Sequence, residues 1–202
     1  MLVLFTAGRA AAEHDEPPPS STHYLQYGVA LTTETVASAA DVCPSRATAP
    51  CILGSGGGLA VRVGYRSRTV WYVGGAYEFS RQNSSNLLRL PVLQQLRAEA
   101  RLYVDRSLRL TPYASAALGA VLYGNEWGSD TGGVTAGLGP GLEFQVTEST
   151  TVGFGVTYRP LLLRGWTDSA GELRADRYLG FGLAHLVAIE LNLSVREALP
   201  RW

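Results

Sequence analysis

The sequence predicts an all-β chain folded as an eight-stranded antiparallel up-and-down transmembrane β-barrel. Three observations carry this reading. Eight segments alternate, with period two, between apolar residues and small or polar ones. The connections between them alternate between tight and long. No apolar run approaches the roughly 18 residues of a membrane helix, an absence compatible with a barrel because barrel strands are short and only half apolar. In a soluble sheet the apolar face turns to the core. In a membrane barrel it turns to lipid, and the other face lines the lumen.

Each segment meets the pattern in its own way. Residues 24–31 set Leu25, Tyr27, Val29 and Leu31 against Gln26, Gly28 and Ala30. Residues 57–65 set Leu59, Val61, Val63 and Tyr65 against Ala60, Arg62 and Gly64. Residues 69–80 set Trp71, Val73, Tyr77 and Phe79 against Gly74, Ala76 and Glu78. Residues 93–104 set Leu96, Ala98, Ala100 and Leu102 against Arg97, Glu99, Arg101 and Tyr103. This segment also fits a helix, since Leu93, Leu96, Ala100 and Tyr103 fall near helical spacing and Pro91 suits a helix start. Unbroken alternation and the tight turn that follows favour a strand. Residues 108–123 set Leu110, Ala114, Ala116, Leu118 and Leu122 against Thr111, Tyr113, Ser115 and Gly119.

Residues 134–146 set Leu138, Leu142, Phe144 and Val146 against Gly137, Gly139, Glu143 and Gln145. Pro140 lies inside this segment, where a closed sheet has no free edge, so a bulge or kink at Gly139-Pro140-Gly141 is expected. Residues 150–160 set Val152, Phe154, Val156 and Tyr158 against Gly153, Gly155, Thr157 and Arg159. The last segment, 178–195, is the clearest. Leu179, Phe181, Leu183, Val187, Ile189, Leu191 and Leu193 oppose Gly180, Gly182, Ala184, Glu190 and Asn192. Three connections are tight (66–68, 105–107 and 147–149) and four are long (32–56, 81–92, 124–133 and 161–177).

A chain of 202 residues makes one domain. Its 23 glycines, 10 tyrosines and 17% charged residues suit tight turns and half-apolar strands. Every basic residue is arginine, which reads as a composition bias. A formal net charge of zero argues against a nucleic-acid partner, which needs a basic face. Residues 1–12 read as the remnant of a secretory signal: Leu2-Val3-Leu4-Phe5 is apolar and Ala10-Ala11-Ala12 offers a cleavage site. Residues 13–23, acidic and Pro-rich, form a flexible lead-in. Residues 24–195 make the barrel, and 196–202 a tail.

Thr111-Pro112-Tyr113 with the small residues up to Gly119, then Gly137-Leu138-Gly139 and Gly141-Leu142-Glu143-Phe144, resemble small bacterial outer-membrane barrels of the OmpA/OmpX-like superfamily. The resemblance covers about residues 24–195. It implies long loops outside the cell, termini in the periplasm, outer-membrane lipids around the wall and passage through the barrel assembly machinery. Such barrels often end on an aromatic residue. Here Trp202 is terminal, but Arg196, Pro200 and Arg201 break the alternation before it. The resemblance supplies no activity.

The lumen face collects Arg62, Arg97, Arg101, Arg109 and Arg159 with Glu78, Glu99, Glu143 and Glu190. Eight strands leave a bore that side chains fill, so this set reads as an ion-pair plug rather than a conduction path. Cys43 and Cys51 share the first long loop, and an exported chain would join them. Metal and cofactor sites are not expected. His185 is the one histidine inside a strand and faces lipid; neither Val187 nor Ser194 completes a catalytic set with it, so no enzyme is expected. Trp71, Trp127, Trp166, Tyr65 and Tyr158 read as interfacial and loop anchors. In the last long loop, Trp166 with Asp168, Glu172 and Arg174 is expected to form a surface contact site for an extracellular partner. The best-supported reading is a structural or surface-interaction protein. Alternatives are a narrow pore for ions or small solutes, a lipid-modifying enzyme, and a soluble lipocalin-like carrier.

Overall fold

The computed structural model describes residues 22–43, 51–104, 109–168 and 171–199. Seven strands follow one another: β1 (Tyr24–Ser38), β2 (Gly56–Arg66), β3 (Trp71–Gln82), β4 (Pro91–Tyr103), β5 (Leu110–Asn125), β6 (Thr131–Gln145) and β7 (Thr150–Arg164). A two-residue ribbon, β8 (Trp166–Thr167) with β9 (Leu173–Arg174), precedes the last strand, β10 (Phe181–Ala198). β1 to β7 and β10 form a closed eight-stranded barrel in which each strand pairs with its chain neighbours and β10 returns to β1. All these pairings are antiparallel. The short connections lie at one end, with the start of β1 and the end of β10. The long ones lie at the other.

Residues 93–104 are strand and not helix: β4 keeps Leu93, Gln95, Arg97, Glu99, Arg101 and Tyr103 buried, with exposed Leu96, Ala98 and Leu102 between them. Each outward face carries exposed apolar side chains, among them Val29, Leu31, Val61, Leu118, Leu138 and Leu191. Tyr65, Trp71 and Phe144 stand exposed near the short-turn end, at the level of an interfacial girdle. Strands need about 9–11 residues to cross hydrocarbon. β5 has 16 and β10 has 18, so the barrel stands taller than its apolar belt.

The observed strands outrun the expected ones for that reason. β1 continues through Glu34 to Ser38, and β7 takes in Leu161, Leu162 and Leu163. β10 continues past the expected tail boundary to Ala198, with Arg196 still facing inward. Pro140 makes no bulge. The β5–β6 register runs unbroken through Ala114↔Pro140, and the β7 pairs lapse at Ala136, Gly137, Gly139 and Pro140 without a shift. The one register shift on the seam between β1 and β10 falls between Val36 and Ser38. The leader at 1–12, most of the lead-in and the turn at 105–107 lie outside the described residues.

Glycines make room for tyrosines inside the wall. Tyr113 lies across Gly141, where an added Cβ would sit 2.2 Å from the ring. Tyr72 covers Gly64 and Gly74 in the same way. Gly141→Ala should therefore lower stability by about 1–3 kcal/mol through overpacking. Gly75 faces outward with nothing nearer than 3.7 Å, so Gly75→Ala should be neutral. Urea unfolding of the two variants in detergent checks the contrast.

Candidate functional site

The lumen is divided along its axis by chemistry. At the short-turn end Glu143 of β6 is the anchor. Its Oε1 accepts from Arg66 at 2.5 Å and from Arg196, and its Oε2 from Tyr103 at 3.2 Å and Gln26 at 3.3 Å. The Arg66 guanidinium also lies 3.8 Å over the Tyr103 ring. One acid thus joins β6 to β1, β2, β4 and β10.

The middle layer is a continuous net. Arg62 bonds Glu99 at 3.1 Å and Glu190 at 2.5 Å. Arg97 bonds Glu78 at 2.7 Å and lies 3.5 Å from Glu99. Arg159 bonds Glu78 at 2.9 Å, Glu34 at 3.2 Å and Glu190. Above it, Glu34 accepts from Ser80 at 2.7 Å, Gln95 at 3.1 Å and Gln82. Arg101 is the loosest member. It approaches Glu99 at 3.5 Å and sits between Tyr72 and Tyr113, 5.3 and 5.0 Å from their ring centres.

Six arginines (62, 66, 97, 101, 159, 196) and five glutamates (34, 78, 99, 143, 190) therefore share the buried lumen. One cation is in excess, and the tyrosine faces around Arg101 offer it a cation–π environment. Sequence reading placed Arg62, Arg97, Arg101, Arg159, Glu78, Glu99, Glu143 and Glu190 on this face, and all are buried there. It also placed Arg109 there. Arg109 is instead exposed in the turn before β5, because inward parity was extended one residue beyond the strand. Glu34, Arg66 and Arg196 were missed because they lie past the apolar belt, though each keeps the parity of its strand. Between Arg97, Arg101, Arg159 and the small residues Ala117, Gly137 and Gly155 remains a cavity of about 20 Å³, room for about one water.

Above the charges, at the long-loop end, the lumen turns apolar. Leu93, Val121, Tyr123, Leu161, Leu163, Ala184 and Leu186 face inward. Val42, Ile52 and Leu53 of the first loop pack down onto them, with Trp166 and Ala175 of the last. The Tyr123 hydroxyl donates to the Ile52 carbonyl, and Tyr123 meets Trp166 edge-on at 6.4 Å. Cys43 and Cys51 are joined, with Cα atoms 5.0 Å apart, and both pack against this plug.

The expected surface site is corrected here. Trp166 is only 8% exposed, because it fills the mouth. Arg174 is fully buried and bonds Asp168, whose side chain is only 2% exposed, at 2.8 Å. Glu172 is partly exposed and its backbone N–H donates to Asp168 at 3.0 Å. The large apolar side chains exposed at this end include Trp127, Leu173, Tyr178 and Leu179. Trp127 meets Phe79 at a tilt of 36°, with ring centres 5.6 Å apart.

His185 stands on the outer wall, where its Nδ1 and the Tyr158 hydroxyl are 2.5 Å apart and their rings stack. The β1 irregularity sets Ser38 in register opposite His185. The histidine leans onto Tyr158, and no carboxylate among the described residues bonds it. Among the described residues no group of three or more His, Cys, Asp or Glu could hold a metal ion.

The closed wall, apolar belt and polar lumen define the fold of the eight-stranded outer-membrane barrels. The chain is similar to neisserial surface protein A, with a TM-score of 0.55 and 16% identity over 86% of this chain and 96% of the other. It is similar also to OprG of Pseudomonas aeruginosa, with a TM-score of 0.56 and 10% identity over 92% of this chain and all of the other. No protein-family model matches the sequence, and no curated protein matches it.

Glu190→Ala leaves Arg62 and Arg159 without a shared anion, which should lower stability by about 3–5 kcal/mol. The Arg89–Glu126 pair is exposed, 86% and 45% at its side chains, so Glu126→Ala should change it by less than about 1 kcal/mol. Urea unfolding in detergent separates the two. Replacing both cysteines by serine should loosen the mouth plug by about 2.5 kcal/mol in the chain-entropy account. Circular dichroism should show the barrel intact while limited proteolysis of the first loop speeds up.

Proposed function

We propose that the chain is an integral outer-membrane protein with a closed lumen, long loops outside and termini in the periplasm, acting as a structural and surface-interaction scaffold. The observation that carries this is the filled bore. Ion pairs occupy the middle, apolar loop residues fill the mouth, and the internal space left beside the arginines is of about 20 Å³. A solute path would have to break several buried charge pairs at once. The likeness of fold to two outer-membrane barrels supports the location. The alternation of loop lengths supports the orientation, because such barrels carry short periplasmic turns and long outer loops.

A rigid scaffold carries binding on its loops. The exposed groups at the loop end include Trp127, Leu173, Tyr178 and Leu179, with Arg89 and Arg177 beside them. Reconstituted in planar bilayers, the purified protein should be electrically silent, and an unboiled sample should migrate differently from a boiled one in a detergent gel. Steady single-channel conductance from folded protein would replace this reading by the pore.

A further inference from the structure

Among the described residues, five of the six lumen arginines account for all five lumen glutamates. Glu34 is held by Arg159 at 3.2 Å, Glu78 by Arg97 at 2.7 Å and Glu99 by Arg62 at 3.1 Å. Glu143 is held by Arg66 at 2.5 Å and by Arg196, and Glu190 by Arg62 at 2.5 Å and by Arg159. Arg101 is left over. It is 4% exposed, and its ion-pair contact, to Glu99 Oε2 at 3.5 Å, falls on the oxygen that Arg62 already holds more closely. An arginine cannot shed its proton to escape burial. A buried cation without an anion of its own is costly. The Tyr72 and Tyr113 faces, 5.3 and 5.0 Å away, soften that cost but carry no net charge.

The second observation is space. The cavity of about 20 Å³ lies against Arg101, and Arg97, Arg159, Tyr113, Glu99 and Glu190 complete its polar lining. Three guanidiniums against two carboxylates leave it net positive. Both carboxylates are already bonded by arginines. The opposite wall is Ala117, Gly137 and Gly155, residues too small to reach in and fill it. The volume admits one particle of about the size of a water molecule. A halide ion is only slightly larger than water, carries the missing charge and accepts hydrogen bonds from several donors at once. Carboxylates and phosphate are too bulky.

We propose that this cavity is a halide site, with chloride held by the Arg101 guanidinium and the lumen thereby brought to neutrality. The inference rests on the closed lumen, because a water-filled bore would solvate Arg101 directly.

The test is refolding of the full-length protein into non-ionic detergent in sodium chloride, sodium bromide or sodium gluconate at equal ionic strength. Urea unfolding then follows in the same salt. Gluconate is too large for the cavity. A ligand bound by the folded state alone stabilises it by mass action, so the unfolding equilibrium constant should be about tenfold or more lower in chloride and bromide than in gluconate. Arg101→Met removes the surplus charge, and Ala117→Val fills the cavity while keeping every charge. Each should abolish the difference between salts. Crystals grown in bromide should show its anomalous signal beside Arg101. If Arg101→Met does not fold, Ala117→Val and the bromide signal decide. Equal stability of the native chain in all three salts assigns the cavity to water and overturns the proposal. A chloride effect that survives in either variant marks a general salt effect and overturns it too. Conductance of the same preparation keeps the two readings apart. A silent bilayer without a halide effect removes the ion alone, and a conducting one removes the closed lumen and the site with it.

Discussion

The middle of this barrel is held by the pairing of buried charges. A wall that gives its apolar face away has no hydrophobic core left for the middle of its bore. The lumen must then be held by polar groups, and polar groups out of water hold only when they are matched. The net of Arg62, Arg97 and Arg159 with Glu78, Glu99 and Glu190 meets that demand. Arginine suits the task because its planar fork meets two carboxylates at once. Arg62 and Arg159 are both used in this way.

The mouth obeys a different rule in the same tube. Above Glu34 the strands rise past the level of hydrocarbon, and the inner face becomes apolar again. There the barrel behaves like an ordinary small protein, with a core of its own built from strand residues below and loop residues above. The disulfide ties the first loop to that core. The barrel therefore has two stabilising regions of opposite character stacked along one axis.

Much of the wall was legible in the sequence because the pleat imposes period two and the two sides face different media. Val61, Arg62 and Val63 suffice to assign their faces. The alternation is loud only inside the apolar belt. Where the outer face meets water, as at Thr33, Thr35 and Glu197, both faces become polar and the signal fades. Glu34, Arg66 and Arg196 lie there and were passed over, and Arg109 was carried inward for the same lack of a boundary. Trp166 was misplaced for another reason. Whether a loop tryptophan is exposed depends on which other loops meet it, here through Tyr123, and spacing along the chain carries no trace of that. Val42, Ile52 and Leu53, apolar residues beside the two cysteines, were the available hint of a folded loop.

The net also spans great distances along the chain. Arg62 and Glu190 are 128 residues apart, and Gln26 and Glu143 are 117. Glu190 sits on the strand that closes the wall and bonds two arginines that earlier strands have already brought in. A sheet still waiting for β10 would hold each of these arginines on acids of the other strands alone, Arg62 on Glu99 and Arg159 on Glu78 and Glu34. The last strand adds one carboxylate that both arginines share, and so ties β2 to β7 across the bore. The acid on β10 thus acts as a clasp that fastens two walls whose own charges are already matched.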